Sequence, residues 1–69
     1  MSSVARVTEV IASSDTSFED AIQNGIHRAN QTLKGVQGAW VQSQKVECDG
    51  DGNIQAYRVN LKVTFVLQD

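Results

Sequence analysis

The chain reads as four segments with different hydrophobic periods. From Val4 to Ala12 β-branched residues are dense. Val4, Val10 and Ala12 fall on one face of an extended chain, and Ala5, Val7 and Ile11 fall on the other. This predicts a strand. Ser13-Ser14-Asp15-Thr16-Ser17 then breaks the pattern with turn and cap residues.

From about Ser17 to Lys34 the period changes. Phe18, Ala21, Ile22, Ile26, Ala29 and Leu33 recur at spacings of one, three or four, which makes one apolar stripe of an amphipathic helix. Ser17 is a suitable N-cap, and Glu19 and Asp20 place negative charge in the first turn, where the helix dipole favours it. Gly25 lies beside the stripe, where it weakens the helix but permits close approach of another backbone. Gly35 is placed to end it.

From about Ala39 to Cys48 alternation is weak. Trp40, Gln42, Gln44 and Val46 fall on one face and Val41, Ser43, Lys45 and Glu47 on the other. Pattern alone assigns neither face to the interior. Asp49-Gly50-Asp51-Gly52-Asn53 is a strong hairpin signal. The last segment, Ile54 to Leu67, alternates without a fault. Tyr57, Val59, Leu61, Val63, Phe65 and Leu67 form a dry face, and Arg58, Asn60, Lys62 and Thr64 interleave with them.

These elements predict an α+β fold of β-α-β-β order. The hairpin makes the second and third strands antiparallel, and the helical crossover sets the first parallel to the second. The first can then pair antiparallel with the last. The expected sheet is three-stranded and antiparallel, in the order 1-3-2, wrapped on one helix. The last strand would reach over ~40 Å at ~3.3 Å per residue. The helix would reach under ~30 Å at ~1.5 Å per residue. One helix cannot cover such a sheet, so the excess must curl around it or pack on another chain.

Composition supports self-association. With 69 residues, 1–69 is expected to be a single domain. A chain this short hides only ~60% of its unfolded surface when it folds alone, and small folds usually need a staple. One cysteine, Cys48, allows no internal disulfide, and one histidine, His27, leaves too few ligands for a Cys/His zinc site. A homo-oligomer is the expected staple.

The formal charge of −2, from eight acidic and six basic residues, provides no basic face for nucleic acid. No apolar run approaches the ~20 residues that span a bilayer, so no membrane role is expected. Met1 to Arg6 lack the basic start and apolar stretch of a signal peptide, which makes the cytoplasm the default location.

Catalytic chemistry finds little support. Cys48 stands beside acids, which disfavours a thiolate, and His27 has no evident nucleophile or acid partner. No phosphate loop of the usual spacing is present. The chain is therefore expected not to be an enzyme. The 49–54 segment resembles the middle of a calcium loop, but Arg58 stands where the closing glutamate belongs, and a hairpin turn explains the same residues.

Four stretches in order resemble the dodecin family. They are Arg6-Val7-Thr8-Glu9-Val10-Ile11, Thr16-Ser17-Phe18-Glu19-Asp20-Ala21-Ile22, His27-Arg28-Ala29-Asn30-Gln31-Thr32-Leu33 and Tyr57-Arg58-Val59-Asn60-Leu61-Lys62-Val63-Thr64-Phe65. The resemblance implies a β-α-β-β subunit of a hollow twelve-subunit shell. It also implies a non-catalytic role in storing or quenching a flavin (FMN, FAD or riboflavin) between subunits.

The family's stacking tryptophan falls at Gly38. Trp40 lies two residues on, on the same strand face and displaced by ~6–7 Å. The family's ring-binding glutamine falls at Arg58, a basic residue near the strand end is replaced by Val66, and the turn is one residue longer.

The candidate ligand residues are Trp40 as a stacking platform, Gln42 on its face, and Arg58 as a charge-assisted donor. Arg58, Lys62 and Arg6 could also line the wet face and meet an anionic ligand, but ordinary salt bridging across the sheet or between subunits is the favoured account of them. Two readings stay open. One is a shell that sequesters flavin or another planar cofactor. The other is a dodecin-like shell that binds no flavin and has a structural role or holds ions or coenzyme A.

Overall fold

The computed structural model describes residues 4–67. Strand β1 spans Ala5–Ser14, helix α1 Phe18–Leu33, strand β2 Val36–Cys48 and strand β3 Ile54–Val66. The three strands form one antiparallel sheet in the order β1-β3-β2. The most apolar strand therefore takes the centre, where both its edges are paired.

The helix packs on one face of that sheet through the stripe its sequence carries. Ala21, Ala29, Val59, Leu61 and Val63 are buried, with Val10, Ala12, Phe18, Ile22, Ile26, Leu33, Val36 and Ala39 packed against them. Phe18 meets Tyr57 edge to face, with ring centroids 5.1 Å apart. A Cβ at Gly25 would lie 3.0 Å from both Ala12 Cβ and Leu61 Cδ1. The missing side chain is thus what lets the helix backbone settle onto β1 and β3.

Both helix ends are built locally. Ser17 Oγ accepts from the Asp20 amide at 3.0 Å. Lys34, not Gly35 alone, takes the turn out of the helix. Its φ is +59°, its amide donates to Asn30 O at 3.1 Å, and Asn30 Oδ1 accepts from the Val36 amide.

Two boundaries differ from expectation. The first strand runs on through Ser13 and Ser14, which pair with Arg58 and Tyr57. Ser14 is buried, donates to Asp20 Oδ2 at 2.6 Å and accepts from the Thr16 amide, so its polarity is satisfied by the turn that follows. The second strand begins at Val36, three residues early. Val36 pairs with Phe65, and an irregularity then separates it from Gly38, which pairs with Thr64. That interruption conceals the strand's start from any count of alternating residues.

The helix does fall short of the sheet. Its 16 residues rise ~24 Å, whereas the molecule is 55 Å long. The hairpin beyond Val46 and Tyr57 projects past Phe18. Among the described residues nothing covers the sheet face away from the helix, and Val7, Ile11 and Trp40 stand 51%, 65% and 63% exposed. Among the described residues, no helix is long and apolar enough to cross a membrane.

Candidate functional site

Residues directly opposite in an antiparallel sheet share a face. The register therefore sorts the uncovered face into rows across the three strands. Val7, Thr64 and Gly38 form one row, and Glu9, Lys62 and Trp40 the next. Ile11, Asn60 and Ser43 follow, then Ser13, Arg58 and Lys45.

The order of these rows rests on a bulge. Val41 pairs with Leu61 and Ser43 with Asn60, so Gln42 is an extra residue on β2. Strict alternation places Trp40 with Gln42, Gln44 and Val46. The bulge resets the phase: Trp40 shares its face with Ser43 and Lys45, while Gln44 and Val46 turn to the helix side opposite Val59 and Tyr57. Gln42 sits exposed at the reset point. Arg6 also departs from expectation. It pairs with Phe65, on the helix side of the sheet, and does not join Arg58 and Lys62.

The structure thus puts Trp40 and Arg58 on one face, two rows apart. Lys62, opposite Trp40, is four residue steps along β3 from Arg58, a span of ~13 Å. Gly38 lies on the same face as Trp40, with open space over it: a Cβ there would meet only Thr64 Oγ1, at 3.8 Å. That hydroxyl donates to Gly38 O at 3.1 Å.

Between the Trp40 row and the hairpin the face dips into a hollow of about 400 Å³, lined by Ile11, Ser43, Gln44, Lys45, Arg58 and Asn60. Arg58 Nη2 pairs with Glu47 Oε1 at 3.0 Å. Asn60 Nδ2 donates to Glu9 Oε2 at 3.0 Å, while Asn60 Oδ1 is buried without a hydrogen-bond partner. Sequence reading selects Arg58 but misses Ser43, Lys45 and Asn60 beside it. The first two were assigned away from Trp40 by the alternation that the bulge breaks.

At the hairpin, Asp49 is committed to the turn. Its Oδ1 accepts from the Asp51 and Asn53 amides at 2.7 and 3.2 Å, and its Oδ2 accepts from Asn53 Nδ2 at 3.0 Å. The Asp51 amide bond, then those from Asn53, hold its carboxyl below the ordinary aspartate value. Gly50 and Gly52 have φ of +97° and +88°, which the turn requires. Among the described residues, no three of His, Cys, Asp and Glu gather as metal ligands. Cys48 is exposed at the end of β2 and His27 on the helix.

The face therefore offers an exposed indole, apolar neighbours and a cation-lined hollow.

Comparison with known proteins agrees with this geometry. The dodecin family profile matches residues 4–68. The curated calcium dodecin of Mycobacterium tuberculosis is 33% identical over 66 residues, covering 96% of this chain and 92% of that protein. The solved dodecin of Streptomyces davaonensis superposes with a TM-score of 0.92 at 33% identity over all of both chains. The dodecin of Streptomyces coelicolor gives 0.89 at 31%, covering 97% and 94%. The crystal structure of the calcium dodecin of Mycobacterium tuberculosis, which has a novel calcium-binding site, gives 0.80 at 32%, covering 94% and 91%. Element order, strand order and a match along nearly the whole chain together make this protein a member of the dodecin family.

Proposed function

We propose that the chain is a non-catalytic subunit of a hollow homo-oligomeric shell that stores a small planar ligand, a flavin by preference, against Trp40. The observation that carries this reading is the uncovered sheet face, where a 63% exposed indole stands beside open space over Gly38. A soluble subunit gains nothing from leaving an indole in water, whereas stacking on a planar ring or on a sister subunit removes that cost. Gln42 and Arg58 supply polar contacts at the rim. Trp40 and Arg58 of one chain lie too far apart to grip one small ring, so a ligand held by both lies across a subunit boundary or spans the rows lengthwise.

An absorbance spectrum and a native mass of the protein purified without added flavin test this reading. The expected result is a multimer that quenches flavin fluorescence on titration. Trp40→Ala should weaken flavin binding by ~1–3 kcal/mol, the worth of one stacked aromatic contact. Unchanged affinity in that variant removes the stacking role.

A second reading, a shell that binds no flavin, draws on Gly38 at the family's tryptophan position and on the relative named calcium dodecin. A colourless multimer that binds calcium by calorimetry and leaves flavin fluorescence untouched would select it. In that case calcium in the hairpin would have to compete with the amides already held by Asp49.

A further inference from the structure

The uncovered sheet face carries a charge balance opposite to that of the chain. Among the described residues it holds Lys45, Arg58 and Lys62, half of the six basic residues, but only Glu9 and Glu47 of the seven acidic ones. The excess is concentrated in one place. Lys45 and Arg58 are register partners, directly opposite across β2 and β3. Like charges in that position repel and destabilise a sheet. Among the described residues, one acid answers them, Glu47, paired with Arg58 at 3.0 Å and 39% exposed. Lys62 differs, because its register partner is Glu9. The two cations line the 400 Å³ hollow together with Ile11, Ser43, Gln44 and Asn60, and Asn60 Nδ2 in turn donates to Glu9 Oε2.

We propose that this hollow is an oxyanion site in which Lys45 and Arg58 take a phosphate group of the ligand, with Glu47 as the resident counter-ion that the phosphate displaces. The proposal deepens the ligand-binding reading of this face by assigning the ligand's chemical class. A phosphate carries nearly two charges where the resident carboxylate carries one, so it gains more from the cation pair than Glu47 does. A neutral ligand must leave the Arg58–Glu47 pair intact, whereas a phosphate exchanges one anion for another. Glu47 thereby sets the threshold for binding.

Inorganic pyrophosphate, which has no ring to stack, isolates this claim from the role of Trp40. Titrated into the assembled protein and followed by amide shifts, it should perturb Ser43–Lys45 and Arg58–Asn60, and binding should weaken as salt rises. Glu47→Gln should tighten binding about two- to five-fold and Lys45→Gln should weaken it by a similar factor, the range of a single exposed ion pair. Equal affinity in wild type, Glu47→Gln and Lys45→Gln, shifts confined to other residues, or no binding at all would overturn the proposal. If pyrophosphate binds as described while flavin does not, the oxyanion site stands and the planar-ligand reading falls.

Discussion

Gly25 shows two residue-scale effects of opposite sign. Alanine in a helix interior is worth ~1 kcal/mol over glycine. Here its methyl would meet Ala12 Cβ and Leu61 Cδ1 at 3.0 Å, and Leu61 is fully buried. Ala12 has no rotamer with which to yield, and overpacking typically costs ~1–3 kcal/mol. Gly25→Ala should therefore destabilise the protein by ~1 kcal/mol net, seen as a lower urea midpoint at unchanged slope.

Asp49 offers a pH test. Its carboxyl is held below the ordinary value by amides it accepts in the folded turn. That contribution is complete above the unfolded aspartate pKa of ~3.9 and is lost as pH falls through the lower folded value. The Asp51 amide resonance should move with an acid midpoint below the ~3.9 of an unfolded aspartate. A midpoint at or above that value would refute the assignment. Periodicity made the apolar residues around Gly25 legible, and the turn residues around Asp49 could be recognised by type. Distances of 3.0 Å to side chains far along the chain could not be read, because they depend on where two other strands lie.

At the scale of elements, the helix was legible to within a residue because its signals are local. A cap, acidic first-turn residues and a stripe of period 3.6 all lie within the segment they specify. Ser17→Ala removes the acceptor for the Asp20 amide and should cost ~1 kcal/mol, while Ser17→Asp should retain most of the stability. Thermal unfolding of the two variants side by side checks this.

Strand β2 was the least legible element for the converse reason. Its bulge at Gln42 and its irregular start near Gln37 exist only in relation to β3. A pairing partner decides which residue is extra, and alternation within one strand carries no record of it. The candidate site inherited the same blindness: Trp40 and Arg58 were found by residue type, while Ser43 and Lys45 were missed because the bulge turns them onto Trp40's face.

For the whole molecule the issue is coverage. A 24 Å helix and a 55 Å molecule leave one sheet face and the hairpin bare. Val7, Ile11 and Trp40 are exposed on that face, and Val41, Val46 and Ile54 are exposed toward the β2 edge and the hairpin; apolar side chains exposed together suit a contact surface. Copies of the chain are the proposed cover. Ile11→Lys should lower the native mass toward that of one 7.5 kDa subunit and reduce thermal stability together with it. Sedimentation velocity at two protein concentrations would show this, and a wild-type protein already monomeric at micromolar concentration would contradict the proposed cover.

The residues by themselves determined the four elements, the strand order 1-3-2 and the shortage of helix. Each follows from short-range periodicity, from hairpin and crossover connections, and from the fixed rise per residue of helix and strand. Tertiary structure alone decided the phase of β2, the exclusion of Arg6 from the uncovered face, the pairing of Arg58 with Glu47 and the meeting of Lys45 with Arg58. The reason is register. A single extra residue opposite a neighbour moves every later side chain to the other side of a sheet, and only the neighbour shows where that residue stands.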